Sequence, residues 1–145
     1  MIPARDKHPP LIDALDGLYA ELVEGAQQLA QEYLERASTI DGKRRRQVQL
    51  LIQVKQHSPQ SWGIYWAKNT AAPGQPAVPL TINKGLGDKY PMGTFSSVRE
   101  PLKTLCRAYE HRLALIRAAC RQNRALRRTL EAHGRHVVAA LRDLN

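Results

Sequence analysis

Apolar side chains recur along this chain in two rhythms, and the change of rhythm divides it into three parts. From Leu11 to Tyr33 they fall at helical spacing. Leu11, Leu15, Leu18, Leu22, Leu29 and Tyr33 make one row, flanked by Ile12, Tyr19, Val23, Ala26 and Ala30. Pro9-Pro10 opens the segment, a position where the missing proline N–H has no helical partner to lose. Asp13 and Asp16 follow near the start, where the helix dipole favours negative charge. Gly17 and Gly25 weaken the helix locally without ending it. The spacing predicts a long helix over about 10–37.

Between about 46 and 95 the period shortens to two. Val48, Leu50, Ile52 and Val54 alternate with their neighbours, although Val48, Leu51, Ile52 and Lys55 also suit a helix. Trp62, Ile64 and Trp66 alternate in the same way, and His57 to Ser61 reads as the loop of an antiparallel hairpin. A proline-rich loop over 69–79 leads to a third strand at Val78–Lys84, with Pro79 near its start. The connector from Gly85 to Gly93 is neither a dinucleotide fingerprint nor a phosphate-binding loop.

Helical spacing returns over about 98–144. Ser97 and Glu100 resemble a capping box, with Pro101 just inside the helix. Leu102, Cys106, Tyr109, Leu113, Ile116 and Cys120 then recur at intervals of four and three. Leu126, Leu130, His133, Val137, Leu141 and Leu144 resume the pattern after a phase shift near Asn123. The region is one long helix, or two joined near 122–124 or at Gly134. The expected architecture is a single α+β domain over 1–145. A long N-terminal helix, an antiparallel sheet of about three strands and a long C-terminal helical arm packed on the first helix compose it. Apolar stripes this long also suit burial against a second copy, so a homodimer is the alternative.

Composition changes this picture mainly through charge. The net charge is +9, and it is unevenly placed. Residues 1–36 carry seven acids and three bases, whereas 37–145 carry six acids and nineteen bases. Such a surplus points to a polyanion or an acidic protein surface as partner, against the alternative of a solvated basic face. Cys106 and Cys120 are the two cysteines; on one helix about 21 Å would separate them, beyond disulfide reach. There is no run of about 20 apolar residues and no signal peptide at the N-terminus, so a soluble, cytoplasmic protein without membrane contact is expected.

The candidate chemistry is binding rather than catalysis. Arg117, Arg121, Arg124, Arg128, Arg135 and Arg142 follow helical spacing, and a guanidinium fork suits backbone phosphates. A solvated face or interhelical salt bridges account for the same spacing. Arg44, Arg45 and Arg46 continue a cationic run from Lys43, and Lys68, Lys84 and Lys89 surround the aromatic stretch. The two tryptophans fit a core beneath the helices, while Tyr65, on the opposite strand face, suits base stacking. Neither a HExxH nor a pair of CxxC motifs occurs, and Asp88 is the lone carboxylate between Gly42 and Glu100. No metal, cofactor or enzymatic activity is expected.

The succession SWGIYWAKN, PLTINKG, KYPMGTF and a helix containing YEHRLALIR, spanning 61–117, resembles the MobI-type mobilisation auxiliary proteins of conjugative elements. The sequence departs from that pattern at Val98-Arg99-Glu100, where a Trp-Glu pair is expected. The resemblance implies a non-enzymatic protein that assists DNA processing at an origin of transfer beside a relaxase, and it supplies no catalytic residue. DNA, with a relaxase or another transfer protein, is therefore the expected partner. A protein–protein adaptor whose basic face docks an acidic protein is the alternative.

Overall fold

The computed structural model describes residues 9–41, 48–70 and 78–144. Its elements are helix α1 (Pro9–Asp41), strands β1 (Leu50–Ser58), β2 (Ser61–Thr70) and β3 (Val78–Thr81), a short 3-10 helix (Met92–Phe95), helix α2 (Leu102–Leu141) and a terminal 3-10 turn (Arg142–Leu144). The α+β architecture has the expected order, with the second long helix packed on the first. The chain divides into two compact units, Met1–Leu22 with Ala118–Asn145, and Val23–Arg117.

In the Val23–Arg117 unit, α1 buries Val23, Ala26, Leu29, Tyr33 and Ala37, the 3.6-residue face of its sequence. α2 answers with Leu102, Leu105, Cys106, Tyr109 and Leu113. The antiparallel sheet has the order β1-β2-β3. It pairs Leu50 with Lys68, Ile52 with Trp66 and Val54 with Ile64, which sets those even-numbered residues on one face. Leu50, Ile64 and Trp66 belong to the same core cluster as Tyr33 and Tyr109.

Trp66 sits at the middle of this core, fully buried. Tyr33 and Phe95 meet its indole edge-to-face, each with ring centroids at 5.1 Å, the arrangement the ring quadrupole prefers. Tyr33 spends its hydroxyl proton on the Leu50 carbonyl at 2.8 Å, so the aromatic core leaves that phenol satisfied. Trp62, expected beside Trp66 in the core, is only half-buried.

The structure corrects several boundaries. β1 runs on through His57 and Ser58, and the hairpin closes on Pro59-Gln60 after a bulge between Gln56 and Ser58. Proline preset for a turn and a bulge that absorbs the odd residue make the connection shorter than the predicted loop. β3 ends at Thr81, although the Ile82 N–H still bonds the Trp66 carbonyl. Glu100, not Ser97, caps α2: its Oε2 accepts from the Thr104 N–H and hydroxyl. Pro101 lies just before the helix rather than inside it. α2 passes through Asn123 and Gly134 without interruption. The cysteines are both free thiols, Cys106 buried and Cys120 half-buried.

In the other unit the predicted apolar stripe holds only in part: Leu130 and Val137 are half-buried, Leu141 and Leu144 are exposed, and polar residues take inward positions. Leu126 is 56% exposed, while Asn123 is buried and Arg124 and Arg127 are half-buried. The seam of α2 keeps its phase through Cys120, Asn123, Arg124 and Arg127, so no phase shift occurs. Asn123 donates to the Leu15 carbonyl at 2.8 Å, and Arg124 lies over the Tyr19 ring at 4.0 Å. Asp16 Oδ1 receives Arg124 at 2.9 Å and Arg127 at 2.8 Å, and Arg127 also pairs with Glu131.

Candidate nucleic-acid interface

The six arginines read as one stripe separate into two sets on the folded helix. Arg117 and Arg124 turn inward. Arg121, Arg128, Arg135 and Arg142 are exposed, at intervals of seven residues. Seven residues are nearly two turns, so Arg121, Arg128 and Arg135 recur on one side of α2 about 10.5 Å apart, and Arg142 follows in the terminal 3-10 turn. The inward pair is explained by the seam: positions 113, 117, 120 and 124 continue the buried face, and arginine stands where leucine would otherwise pack. Arg127, which sequence reasoning passed over, joins Arg124 there. Neighbouring acids at Asp13 and Asp16 one face away on α1 were the available signal.

Arg117 is the most deeply placed cation. One of its terminal nitrogens bonds both Glu110 oxygens and the Asp88 carbonyl at 3.0 Å, and its Nε donates to the Ile64 carbonyl at 2.9 Å. The guanidinium also stacks over the Tyr90 ring at 5.0 Å. Glu110 accepts in turn from the Trp66 indole N–H and the Tyr90 backbone N–H, each at 2.9 Å. A carboxylate has about four acceptor positions, and here four are filled. The buried pair ties α2 to β2 and to the segment before the 3-10 helix. Glu110 was missed because an acid beside Tyr109 looks like a solvated neighbour. Its interval of seven from Arg117 on a buried face was the usable clue.

The remaining candidates lie in other settings. Lys68 and Lys89 are exposed. Lys84 turns onto its own loop, donating to the Gly85 and Gly87 carbonyls. That loop closes when Asn83 Oδ1 accepts the Gly85 N–H at 2.9 Å, with Gly85 at a φ of 83° that suits glycine. Arg44, Arg45 and Arg46 lie outside the described residues.

Tyr65 occupies the sheet face opposite Trp66, as alternation requires. Its ring leans over Gly63, where any Cβ would collide with it, and its hydroxyl shares a 2.8 Å hydrogen bond with His57 Nε2. On the same face Lys55 donates to Thr81 at 2.7 Å and Thr81 to Gln53 at 2.8 Å, a polar bridge from β1 to β3. Half-buried, Tyr65 is held by an edge-on histidine 5.7 Å away and offers a positioned ring on a polar sheet face.

Several groups are tuned by these surroundings. Burial works against ionisation of Asp16, but the hydrogen bonds and charges of Arg127 and Arg124 outweigh it and hold the carboxyl below its usual range. Burial raises the Tyr90 and Tyr109 phenols and the Cys120 thiol, which keeps all three neutral. Among the described residues no group of three or more His, Cys, Asp or Glu side chains is placed to hold a metal ion. No helix among them is long and apolar enough to cross a membrane.

Comparison with protein families decides the kinship. The family model described as MobI protein matches residues 22–131. The chain belongs to the MobI family. The match extends the motif resemblance of 61–117 in both directions, and it takes in the whole sheet, Glu110, Arg117 and the first half of the exposed arginine row. MobI membership makes this a mobilisation accessory protein of mobile elements. No curated protein and no solved structure matches the chain.

Proposed function

We propose that this MobI-family protein is a non-enzymatic DNA-binding accessory factor that assists processing at an origin of transfer, beside a relaxase or another transfer protein. The observation that carries the reading is the exposed row Arg121, Arg128, Arg135 and Arg142. Three guanidiniums on one face of α2, spread over about 21 Å, with a fourth in the turn that follows, suit a run of backbone phosphates and carry no base code of their own. The inward arginines Arg117 and Arg124 serve this reading indirectly, by fixing the helix that presents the row.

Lys68, Lys84, Lys89 and the Arg44–Arg46 run belong to the same proposal as further cations, and Tyr65 as a stacking ring for an unpaired base. Exposed Leu11, Leu18 and Leu126 are the apolar surface that a second copy would bury in a homodimer. Mobility-shift titrations with random duplex, random single-stranded DNA and fragments flanking the coding gene test the proposal. Binding of bare DNA without any other protein is expected, and none at low salt on any of the three would overturn it.

A further inference from the structure

A pocket of about 230 Å³ opens beside the buried Glu110–Arg117 pair, within the Val23–Arg117 unit. Its floor and walls are Tyr90, Pro91, Met92, Phe95 and Ala114, and around them stand Lys89, Arg107 and His111. The helical side comes from one face of α2, since 107, 110, 111 and 114 are spaced 3, 1 and 3. The other side comes from the 3-10 helix, whose Met92 is 74% exposed at the mouth. Methionine there is an adaptable wall.

The polar groups at the floor are already committed. Tyr90 donates its hydroxyl proton to the Ile82 carbonyl at 2.8 Å and accepts from the Trp66 N–H at 3.0 Å. The Tyr90 N–H goes to Glu110, and Glu110 has its four acceptor positions filled. A base edge reaching this floor would surrender its hydrogen bonds to water and find no replacement there, since Lys89, Arg107 and His111 stand around the floor rather than in it. A hydrocarbon side chain loses nothing and gains the contact with Phe95, Ala114 and Met92. Glu110 is the one acid lining the pocket and Arg117 neutralises it, so the charge that remains around the mouth is that of Lys89 and Arg107.

We propose that this pocket is a protein-docking site that seats a large apolar side chain from a partner segment flanked by aspartate or glutamate. The apolar anchor would fill the pocket while the flanking carboxylates meet Lys89 and Arg107 at the rim, an anchor-and-rim division common at interfaces. The pocket shares no residue with the arginine row, and the proposal does not depend on DNA binding.

A random short-peptide library displayed on phage, selected on the full chain, tests the proposal. Selected sequences are expected to share one large apolar residue with acidic neighbours. As synthetic labelled peptides they should lose at least about tenfold in affinity for Met92→Glu, which sets a charge at the mouth, and for Lys89→Glu/Arg107→Glu. All three changes are at exposed positions, so the variants should keep wild-type circular dichroism and melting. Failure to enrich any such sequence would overturn the proposal, as would selected peptides that bind Met92→Glu as tightly as wild type. Equal loss of affinity for a short single-stranded oligonucleotide in Met92→Glu would also overturn it, by making the pocket a nucleotide site.

Discussion

Arg117 reaches back two turns along α2 and holds both oxygens of Glu110 with a single nitrogen, at 2.9 and 3.0 Å. Their side chains are 6% and 10% exposed. A pair so enclosed gives little net stability over an apolar substitute, yet each partner is indispensable while the other remains, because a lone buried charge is costly. The pair also sets position: through it, α2 grips the Trp66 indole, the Ile64 carbonyl and the Tyr90 backbone.

Breaking this pair from either side should therefore be severe. Arg117→Ala or Glu110→Ala is expected to lower stability by about 3–5 kcal/mol in urea unfolding. The joint change Glu110→Leu/Arg117→Met removes the lone buried charge but also takes these partners from the Trp66 and Tyr90 N–H groups and the Ile64 and Asp88 carbonyls, so it should recover only part of that loss. A single variant within experimental error of wild type would show that the pair is not the buried link described above.

Trp66 offers an optical check on the same core. With its ring fully buried between Tyr33 and Phe95, native emission should be blue-shifted and should move to the red on unfolding. Trp66→Ala should cost about 3–5 kcal/mol. Trp62, half-buried, should be the cheaper of the two to truncate and the more readily quenched by iodide.

How much of this was legible beforehand follows from what each residue's neighbours demand. The helical stripe of α1 and the alternation around Trp66 state their partners in the sequence itself, because burial repeats at a fixed period. That logic holds only in part in the distal half of α2. Asn123, Arg124 and Arg127 share the inward side there with half-buried Leu130 and Val137, so hydropathy marked that side only in part, with exposed Leu126, Leu141 and Leu144 as the false signals. Polar groups can be buried once Asp16 and the Leu15 carbonyl are opposite, a condition set by a residue more than a hundred positions away. The arginine stripe was visible as a spacing. Its division into an inward and an outward set was not, since that depends on the same distant partners.

The Asp16 cluster carries a pH signature. Its carboxyl titrates below the ordinary 3.8 when folded, so it stabilises the folded chain at pH values above that figure. The contribution fades as pH falls through the lower folded value. Melting curves of wild type and Asp16→Asn should differ at neutral pH and converge in acid below 3.8. Asp16 is 41% exposed, and solvent screening keeps the neutral-pH difference within about 1 kcal/mol. A gap that persists unchanged into strong acid would assign the effect to something other than this carboxylate.

Tyr65 separates the two strand types of DNA. If its ring stacks on an unpaired base, Tyr65→Ala should weaken single-stranded binding by about 1–3 kcal/mol and leave duplex binding nearly unchanged. Tyr65→Phe keeps the ring and removes the bond to His57, so it should retain most of the affinity. Equal affinities across all three proteins would take the outer sheet face out of the DNA site.

The arginine row makes the most direct demand on the functional reading. Each phosphate neutralised releases condensed counterions, so four contacts from Arg121, Arg128, Arg135 and Arg142 imply a log–log salt slope of about −3.6 on duplex DNA. Arg128→Gln/Arg135→Gln should make that slope shallower by about two units. Both side chains are exposed, and such changes ordinarily alter stability by no more than about 0.5 kcal/mol, so the fold should survive. Arg124→Gln should behave differently, since its guanidinium is engaged with Asp16 and Tyr19: melting should fall while the salt slope of the folded protein stays near wild type. That contrast distinguishes a phosphate contact from a structural cation on the same helix. Unchanged affinity and slope in Arg128→Gln/Arg135→Gln would remove this face from the DNA site, and docking of an acidic protein would become the better account of the positive charge.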